Sequence, residues 1–457
     1  MLTTVYFPMS KRLPLLIAVL ALAVWAGNFI TKNFIASALI AYGQNGESHD
    51  LAVGYAPANA EVLASRARFS LNQADPPRIA DAISDLRQAV QLSPNDYRYW
   101  LELGKAYNAN GETQESEAAL QRAVWLAPRY FEPRWALANL KLRAGKSDAA
   151  LDDFREAVAL SGSLYGNATP PPDRLVTLNA YNAIAGALGM NLAALRQITP
   201  ADSAAQAYLA EFLSTRDAME QALEIWRKLP AEPSGSYRNL VAQLTRELQA
   251  KNRFKEAREV WLKLAEIEGF PASSSANLIP NPGFEQLPLR EKLVELVDLG
   301  DGFDWAIRRH PEVRSVRTGT NAHSGSYALQ LSFLASMNTE FAEVSQFIAV
   351  EPSRQYKLSY FVKTKNISSL PTEAPFIEIT DAANPGQFNL RSVVPSGTVD
   401  WSEQAIMFST TENTHGLRLL IRAPQLKTID NLRLADLWLD DFKLESLSTS
   451  AYNAPNR

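Results

Sequence analysis

Four histidines, His49, His310, His323 and His415, are the side chains best suited to proton transfer or metal ligation near neutral pH. No two of them share the spacing that places imidazoles on one helix face or around one zinc ion. Cysteine is absent. That removes disulfides, thiolate nucleophiles and cysteine-ligated zinc or iron–sulfur centres. The acid pairs Glu340 with Glu343 and Asp400 with Glu403 are of the type a glycoside hydrolase uses. That chemistry needs two carboxyls held at a set distance across a cleft, which the sequence does not specify. No G-x-S-x-G elbow, phosphate loop or dinucleotide fingerprint is present. The chain is expected to bind rather than to catalyse, because a catalytic function has to be argued from a site.

The elements that must position any binding residues are plainer. The 457 residues are enough for two or three domains. A composition of 46% hydrophobic and 21% charged residues supports large cores. The net charge of −4 gives no dense basic surface, so nucleic acid is not an expected partner.

Near the N-terminus, Lys11 and Arg12 precede an uncharged run from Leu13 to Gly27, disturbed only by Pro14, which continues through Asn28, Phe29, Ile30 and Thr31 to Lys32. That is about the length of a membrane-crossing helix. Basic residues before it, and Glu47 and Asp50 well after it, put the amino end in the cytoplasm. Val24-Trp25-Ala26 also offers a signal-peptide cleavage site, and a buried soluble helix is a third reading. Apolar residues resume from Phe34 to Ile40, as in a helix that leaves the membrane and goes on. Residues 1–45 are therefore read as cytoplasmic tip, anchor (13–31) and helical stalk. Everything beyond 45 is expected outside the cytoplasm, in the periplasm if the cell is Gram-negative.

Trp100, Leu103, Gly104 and Tyr107, followed by Leu120, Ala123 and Pro128, recur with a period of 34. One period back stand Ala82, Leu86, Ala89 and Pro94; one period on stand Leu137, Ala138, Ala150, Phe154 and Ala157. This pattern resembles the tetratricopeptide repeat. The resemblance implies paired antiparallel helices: small residues let their axes approach, large ones fill the space between repeats, and the prolines stop each second helix. Ser116, Lys141 and Gly162 depart from the family preference for alanine, tyrosine and proline. Pro170-Pro171-Pro172 marks an interrupting loop, after which Ala222, Trp226 and Leu229 match Ala257, Trp261 and Leu264 as two degenerate repeats. An all-α solenoid over 55–269 follows. Trp100, Trp226 and Trp261 are expected in its core. Trp125, Tyr130 and Trp135, beside Arg129 and Arg134, are the candidates for a partner-gripping face.

A linker over 270–276 contains Pro271-Ala272-Ser273-Ser274-Ser275, and beyond it the period becomes two. Tyr327, Leu329, Leu331 and Phe333 alternate with polar neighbours, as do Tyr356, Leu358, Tyr360 and Val362, and Leu417, Leu419 and Ile421. Short alternating strands between Gly, Pro and Asn loops point to an all-β sandwich. The acidic, apolar stretch Leu289–Leu299 reads as a helical insertion or an elaborated loop.

The order NLIPNPGFE at 277–285, Trp305, SGSYAL at 324–329, YKLSY at 356–360, Trp401 and WLDDFKL at 438–444 is similar to jelly-roll carbohydrate-binding modules of the family 4, 9 and 22 type. The resemblance covers 277–447 and leaves 448–457 as a tail. It implies a structural Ca2+ joining the first and last strands through Glu285 and Asp441, with carbonyl oxygens near Ser324 and Ser326. Strand alternation places Asp440 on the opposite face from Asp441. A glycan would stack on exposed rings, for which Phe361, Phe388, Trp305 and Trp401 are the candidates. The combined expectation is a membrane-anchored cell-envelope interaction protein. Its repeats hold a protein partner and its β-domain a glycan, as in assembly or export of surface polysaccharide. The alternatives are a scaffold that docks proteins only and an accessory to a glycan-processing enzyme in another chain.

Overall fold

The computed structural model describes residues 9–43, 45–162, 171–270, 277–288, 302–333, 340–370, 372–425 and 434–447. Residues 271–276 of the expected linker, the stretch Leu289–Leu299, Pro170 and the tail from 448 lie outside these ranges. The chain divides into two compact units, Met1–Ala205 and Gln206–Arg457. The division falls inside the helical array and not at its end.

The first unit holds α1 (Met9–Tyr42), α2 (Gly46–Tyr55), α3 (Ala60–Asn72), α4 (Ile79–Leu92), α5 (Tyr97–Ala109), α6 (Thr113–Leu126), α7 (Phe131–Arg143), α8 (Ser147–Leu160), α9 (Arg174–Leu188) and α10 (Leu192–Ile198). Within α1, the 29 residues Pro14–Tyr42 have a mean hydropathy of 2.0, long and apolar enough to cross a membrane. At 1.5 Å per residue they extend about 43 Å, more than a hydrocarbon core of about 30 Å requires. The surplus has a second use. Ala36 is buried in a cluster with Ala52, Ala56 and Val62, and Leu39 and Ile40 pack against it. Asn59 Nδ2 donates to Asn33 Oδ1 at 2.8 Å. The apolar residues after Lys32 thus join α1 to α2 and α3.

The repeat register holds at the contact of α5 with α6, although Trp100, expected in the core, is only half-buried. A Cβ on Gly104 would lie 2.6 Å from Leu120 Cγ, so only glycine lets α5 meet α6 this closely. Ser116, in the place of an alanine, is buried and donates to the Gly104 carbonyl at 2.7 Å. Lys141, in the place of a tyrosine, reaches Asp153 at 2.6 Å, and Arg134 approaches the same carboxylate at 3.6 Å. An ion pair between α7 and α8 stands where the preceding repeat buries Tyr107 and Ala119 in one apolar cluster.

The second unit starts within α11 (Ser203–Ser214) and continues with α12 (Met219–Lys228), α13 (Gly235–Ala250) and α14 (Phe254–Ile267). Ala222, Trp226, Ala257, Trp261 and Leu264 are buried, as the degenerate repeats require, while Leu229, just past the end of α12, is half-buried. Among the described residues ten strands follow: β1 (Ala306–Ile307), β2 (Val313–Thr318), β3 (Ala328–Phe333), β4 (Phe341–Ala349), β5 (Gln355–Ile367), β6 (Phe376–Asp381), β7 (Asn389–Val393), β8 (Gly397–Ser409), β9 (Gly416–Ala423) and β10 (Ala435–Ser446). They form two antiparallel five-stranded sheets, ordered β1-β4-β9-β6-β7 and β2-β3-β10-β5-β8. Leu329, Leu331, Phe333, Tyr356, Leu358, Tyr360, Val362, Leu417, Leu419 and Ile421 all lie in the core between them. The alternating residues of the sequence, apart from Tyr327, which is half-buried under the Arg317 guanidinium, are therefore the inward residues of the sandwich.

The helices of this unit are packed on the sandwich. Phe254 of α14 is buried, its ring 6.1 Å from that of Phe347 in β4. A Cβ on Gly416, at the start of β9, would come within 2.4 Å of the Phe254 ring. Trp261 lies 6.2 Å from Phe303, and Gln249 Nε2 donates to the Gly302 carbonyl at 3.2 Å. Helical array and sandwich are thus not two bodies parted at residue 270.

Candidate functional site

Three acids converge where the first segment of the sandwich meets its last strand. Leu278 N donates to the Leu444 carbonyl at 3.1 Å, and Phe442 N to the Pro282 carbonyl at 3.0 Å, so the two ends of the domain lie side by side. Gly325, at φ +60, turns the loop between β2 and β3 beneath Glu285, and a Cβ there would sit 2.3 Å from Glu285 Oε1. Glu285 Oε1 accepts from the amides of Ser326 and Tyr327 at 2.9 and 3.0 Å. Asp440 Oδ2 accepts from the amides of His323 and Ser324 at 2.8 and 3.3 Å. Asp441 takes the Ser324 hydroxyl at 2.8 Å and contacts His323 Nδ1 at 2.7 Å.

Two expectations change here. The register of β10 against β5 slips between Asp440 and Lys443, and Asp441 has φ +49. This bulge breaks strict alternation and brings Asp441 to the same turn as Asp440 instead of to the opposite face. The turn also presents amide N–H groups where carbonyl oxygens near Ser324 and Ser326 were expected. As a cation site the cluster offers negative charge only: among the described residues no group of three or more acid or histidine side chains is placed to hold a metal ion. Among the described residues no lysine or arginine pairs with Glu285, Asp440 or Asp441. Burial, with Asp441 adding to it, pushes the Asp440 carboxyl up to about 6.

The aromatic candidates separate. Phe361 and Trp401 lie on the outer face of the β2-β3-β10-β5-β8 sheet, both half-buried. His323 lies flat on Phe361, ring centroids 3.6 Å apart, and meets Trp401 edge-on at 5.5 Å. The structure thus brings Phe361, Trp401, Asp441 and Ser324 into one patch, with His323 as its hub. Sequence reasoning passed over His323 because it has no second histidine at ligand spacing. Its only signal was its place beside the Ser324-Gly325-Ser326 turn.

Trp305 is 1% exposed, donates to the Asn281 carbonyl at 3.0 Å and stacks on Phe284 at 4.9 Å. It is core and cannot offer a face to a sugar. Phe388 packs at the margin of the same core, 5.5 Å from Phe408. Trp438 alternates with Leu437 and Leu439 of the core and so shares the outer face of Phe361, with Gln330 and Lys363 as cross-strand neighbours.

On the repeats, Trp135 lines a cleft of about 330 Å3 between α5 and α7, together with Lys105 and Asn139. A second cleft of about 410 Å3 lies between α3 and α5, lined by Arg68, Asn72, Glu102 and Lys105 among others. Trp125 and Tyr130 are outside both. Trp125 is 67% exposed on α6 under the Arg122 guanidinium, and Tyr130 caps α7 with its ring 5.1 Å from Tyr97. No described ring contact joins the three.

Fold and site together define a helical-repeat protein whose last helices carry a two-sheet β-sandwich. A tetratricopeptide-repeat family model matches residues 97–130, the hairpin of α5 and α6. Curated proteins give no match. Among solved structures, the chain is similar to the MamA protein at 14% identity, over 50% of this chain and 97% of that one, with a TM-score of 0.29. It is similar to the CBM22-1 xylan-binding domain from Paenibacillus barcinonensis Xyn10C at 15% identity, over 39% of this chain and 100% of that one, with a TM-score of 0.24. The tailspike protein 4 enzymatic domain of bacteriophage CBA120 is similar at 12% identity over 38% of this chain, with a TM-score of 0.27, and the match spans 22% of the tailspike chain. The assignment of the two halves rests on the repeat match and on the strand topology, not on these scores.

Proposed function

We propose that the chain is a non-catalytic adaptor of the cell envelope, anchored by α1, whose repeats hold a segment of a protein partner and whose sandwich holds a glycan during assembly or export of surface polysaccharide. The observation that carries this reading is the pair of clefts on either side of α5, the helix that begins the matched repeat. A photo-crosslinking residue at Asn139 in native membranes should form an adduct with one protein partner, and Lys105→Glu should abolish it. The same group at Trp125 should form none. Equal adducts at 139 and 125, or an adduct at 139 that survives Lys105→Glu, would sink the groove assignment. Protease added to spheroplasts should digest the repeats; their protection would overturn the orientation.

For the β-domain, Trp401 is the ring proposed to meet a sugar, and a glycan array probed with the full chain in detergent tests it against Trp401→Ala. Because His323 already lies on Phe361, the second reading is a β-domain that docks protein and binds no sugar. An array without a single binder would favour that reading. A Ca2+ ion is proposed between Glu285, Asp441 and Asp440, where it would neutralise carboxylates that no lysine or arginine among the described residues pairs. Chelator should then lower the melting temperature, and Glu285→Ala or Asp441→Ala should remove the response. Identical melting curves with calcium and with chelator would refute the ion.

A further inference from the structure

The helices from α1 to α8 run alternately up and down, because each link between them is short. One end of this stack therefore gathers the α2–α3, α4–α5 and α6–α7 turns, and the other end the α3–α4, α5–α6 and α7–α8 turns. The hydrogen bond from Asn59 to Asn33, at 2.8 Å, fixes where α1 passes the first of these ends. Ala36, three residues further along α1, is already buried against α2 and α3. What α1 leaves for a bilayer is the uncharged run Leu13–Thr31, about 28 Å at 1.5 Å per residue, which fits a hydrocarbon core of about 30 Å. Asn33 stands just past that run, and the α2–α3 turn stands beside Asn33.

The two ends differ in what they show to solvent. Among the described residues from Lys32 to the end of α8, every exposed large apolar side chain except Tyr42 lies at the end level with Asn33 or within about one turn of it. Phe34 stands on α1 itself, and Leu51 and Tyr55 lead to the end of α2. Leu92 and Trp125 lie in the last turns of α4 and α6, and Tyr130 precedes α7. Exposed Lys32 and Arg129 stand with them. The turns at the opposite end carry Arg78, Gly111, Glu112, Gly145 and Lys146 instead. Single exposed rings need no explanation, but a row of them at one end, continuous with an apolar helix, marks a contact surface. Trp and Tyr are the rings that settle at headgroup depth, where long cationic side chains reach lipid phosphate.

We propose that this end of the repeats lies on the bilayer, with Tyr55, Trp125 and Tyr130 at headgroup depth, so that the array is laid along the membrane surface instead of swinging from a tether. The proposal rests on the reading of α1 as a membrane anchor. It gives Trp125 and Tyr130, which border neither cleft, lipid as their partner.

The chain has no cysteine, so single spin labels can be placed one at a time. Leu20→Cys, Ala58→Cys, Pro128→Cys and, at the opposite end, Glu112→Cys are labelled in the full chain and reconstituted into vesicles of phosphatidylethanolamine and phosphatidylglycerol. Collision with oxygen and with a water-soluble nickel chelate then gives the depth of each label. The label at 20 should lie in the hydrocarbon, those at 58 and 128 at headgroup depth, and that at 112 in water. Trp125→Glu should abolish the shielding at 128, raising its nickel accessibility to that of 112, while 58 keeps its depth. A label at 20 that lies in water would remove the anchor reading, and the proposal with it. A label at 20 in hydrocarbon, with 128 as open to nickel as 112, would overturn the proposal alone. Shielding at 128 that is lost at one chain per vesicle would assign the surface to a second copy and overturn it as well.

Discussion

The two outer faces of the sandwich have opposite fates. On the β1-β4-β9-β6-β7 sheet, the outward residues Ser345, Phe376, Glu378, Thr380 and Leu420 are buried, and α14 sets Phe254 against Phe347 and Gly416. Glu378 is 2% exposed there, and is satisfied by Arg422, Arg391 and Asn389. On the β2-β3-β10-β5-β8 sheet, the outward residues Lys357, Phe361, Lys363, Trp401, Glu403 and Met407 of β5 and β8 are not buried, whereas Ser359 of β5 and Trp438 of β10 are. The first face is an interior surface that happens to carry charge, and the charge is paired because burial demands it. The second is a true surface, where ion pairs such as Lys363–Asp400, with the Asp400 carboxyl held below its usual range by that lysine, contribute little. A ligand searching for an open sheet face therefore finds the second.

This contrast fails or holds most clearly at Phe254. Its truncation to alanine should leave a cavity between α14 and the covered face and cost about 3–5 kcal/mol. It should be read as a shift in the urea midpoint of the second unit in the full chain. Phe361→Ala, on the open face, should cost far less. Equal shifts would mean that the helices contribute nothing to the sandwich. Gly416→Val attacks the same contact from the other side. With the Phe254 ring within 2.6 Å of the new Cβ, it should overpack the joint and cost about 1–3 kcal/mol. Phe254→Leu in the same chain should relieve part of that cost.

A feature of this fold is legible in the sequence where a local period carries it. The period of two in Tyr356-Leu358-Tyr360-Val362 placed those residues in the core, and Gly104 against Leu120 followed from the repeat. What alternation cannot show is a bulge. Asp440 keeps the outward place that alternation with Leu439 gives it, and Asp441 is the residue that leaves the alternation, because one slipped register between Asp440 and Lys443 leaves no trace in a pattern of apolar residues. Nor can it show which outward face another element covers. Phe254 and Gly416 are far apart in the chain, each unremarkable alone, and only their contact explains why the first face is closed. His323 was missed for the same reason: its partners, Asp441 and Phe361, come from other strands.

The bulge gives the open side a pH signature. Asp440 is buried, its carboxyl raised to about 6, and it faces Asp441, Ser324 and His323. A raised folded-state value means the fold holds this proton more tightly than the unfolded chain. Its contribution is fully present below the ordinary carboxylate range and is lost as pH rises through about 6. In chelator, the second unit should therefore lose on the order of 2 kcal/mol from this group between about pH 4 and 7. Asp440→Asn should flatten that part of the melting curve against pH. A slope unchanged in Asp440→Asn would assign the pH dependence to other groups.

The smallest effect is the most direct check on openness. Met407 is 73% exposed in β8, cross-strand from Lys357. If solvent covers it, Met407→Glu removes little apolar burial and sets a carboxylate opposite an ammonium, worth a few tenths of a kcal/mol at most. Since β8 is an edge strand of its sheet, a charge there also discourages pairing with another chain, so solubility should rise while the urea midpoint stays within about 0.5 kcal/mol of the parent. A loss above about 1 kcal/mol would mean that Met407 is packed against something in solution, a value outside the range of ordinary surface changes. The same loss, appearing only when the chain is in membranes with its partner, would instead place that partner on the open face.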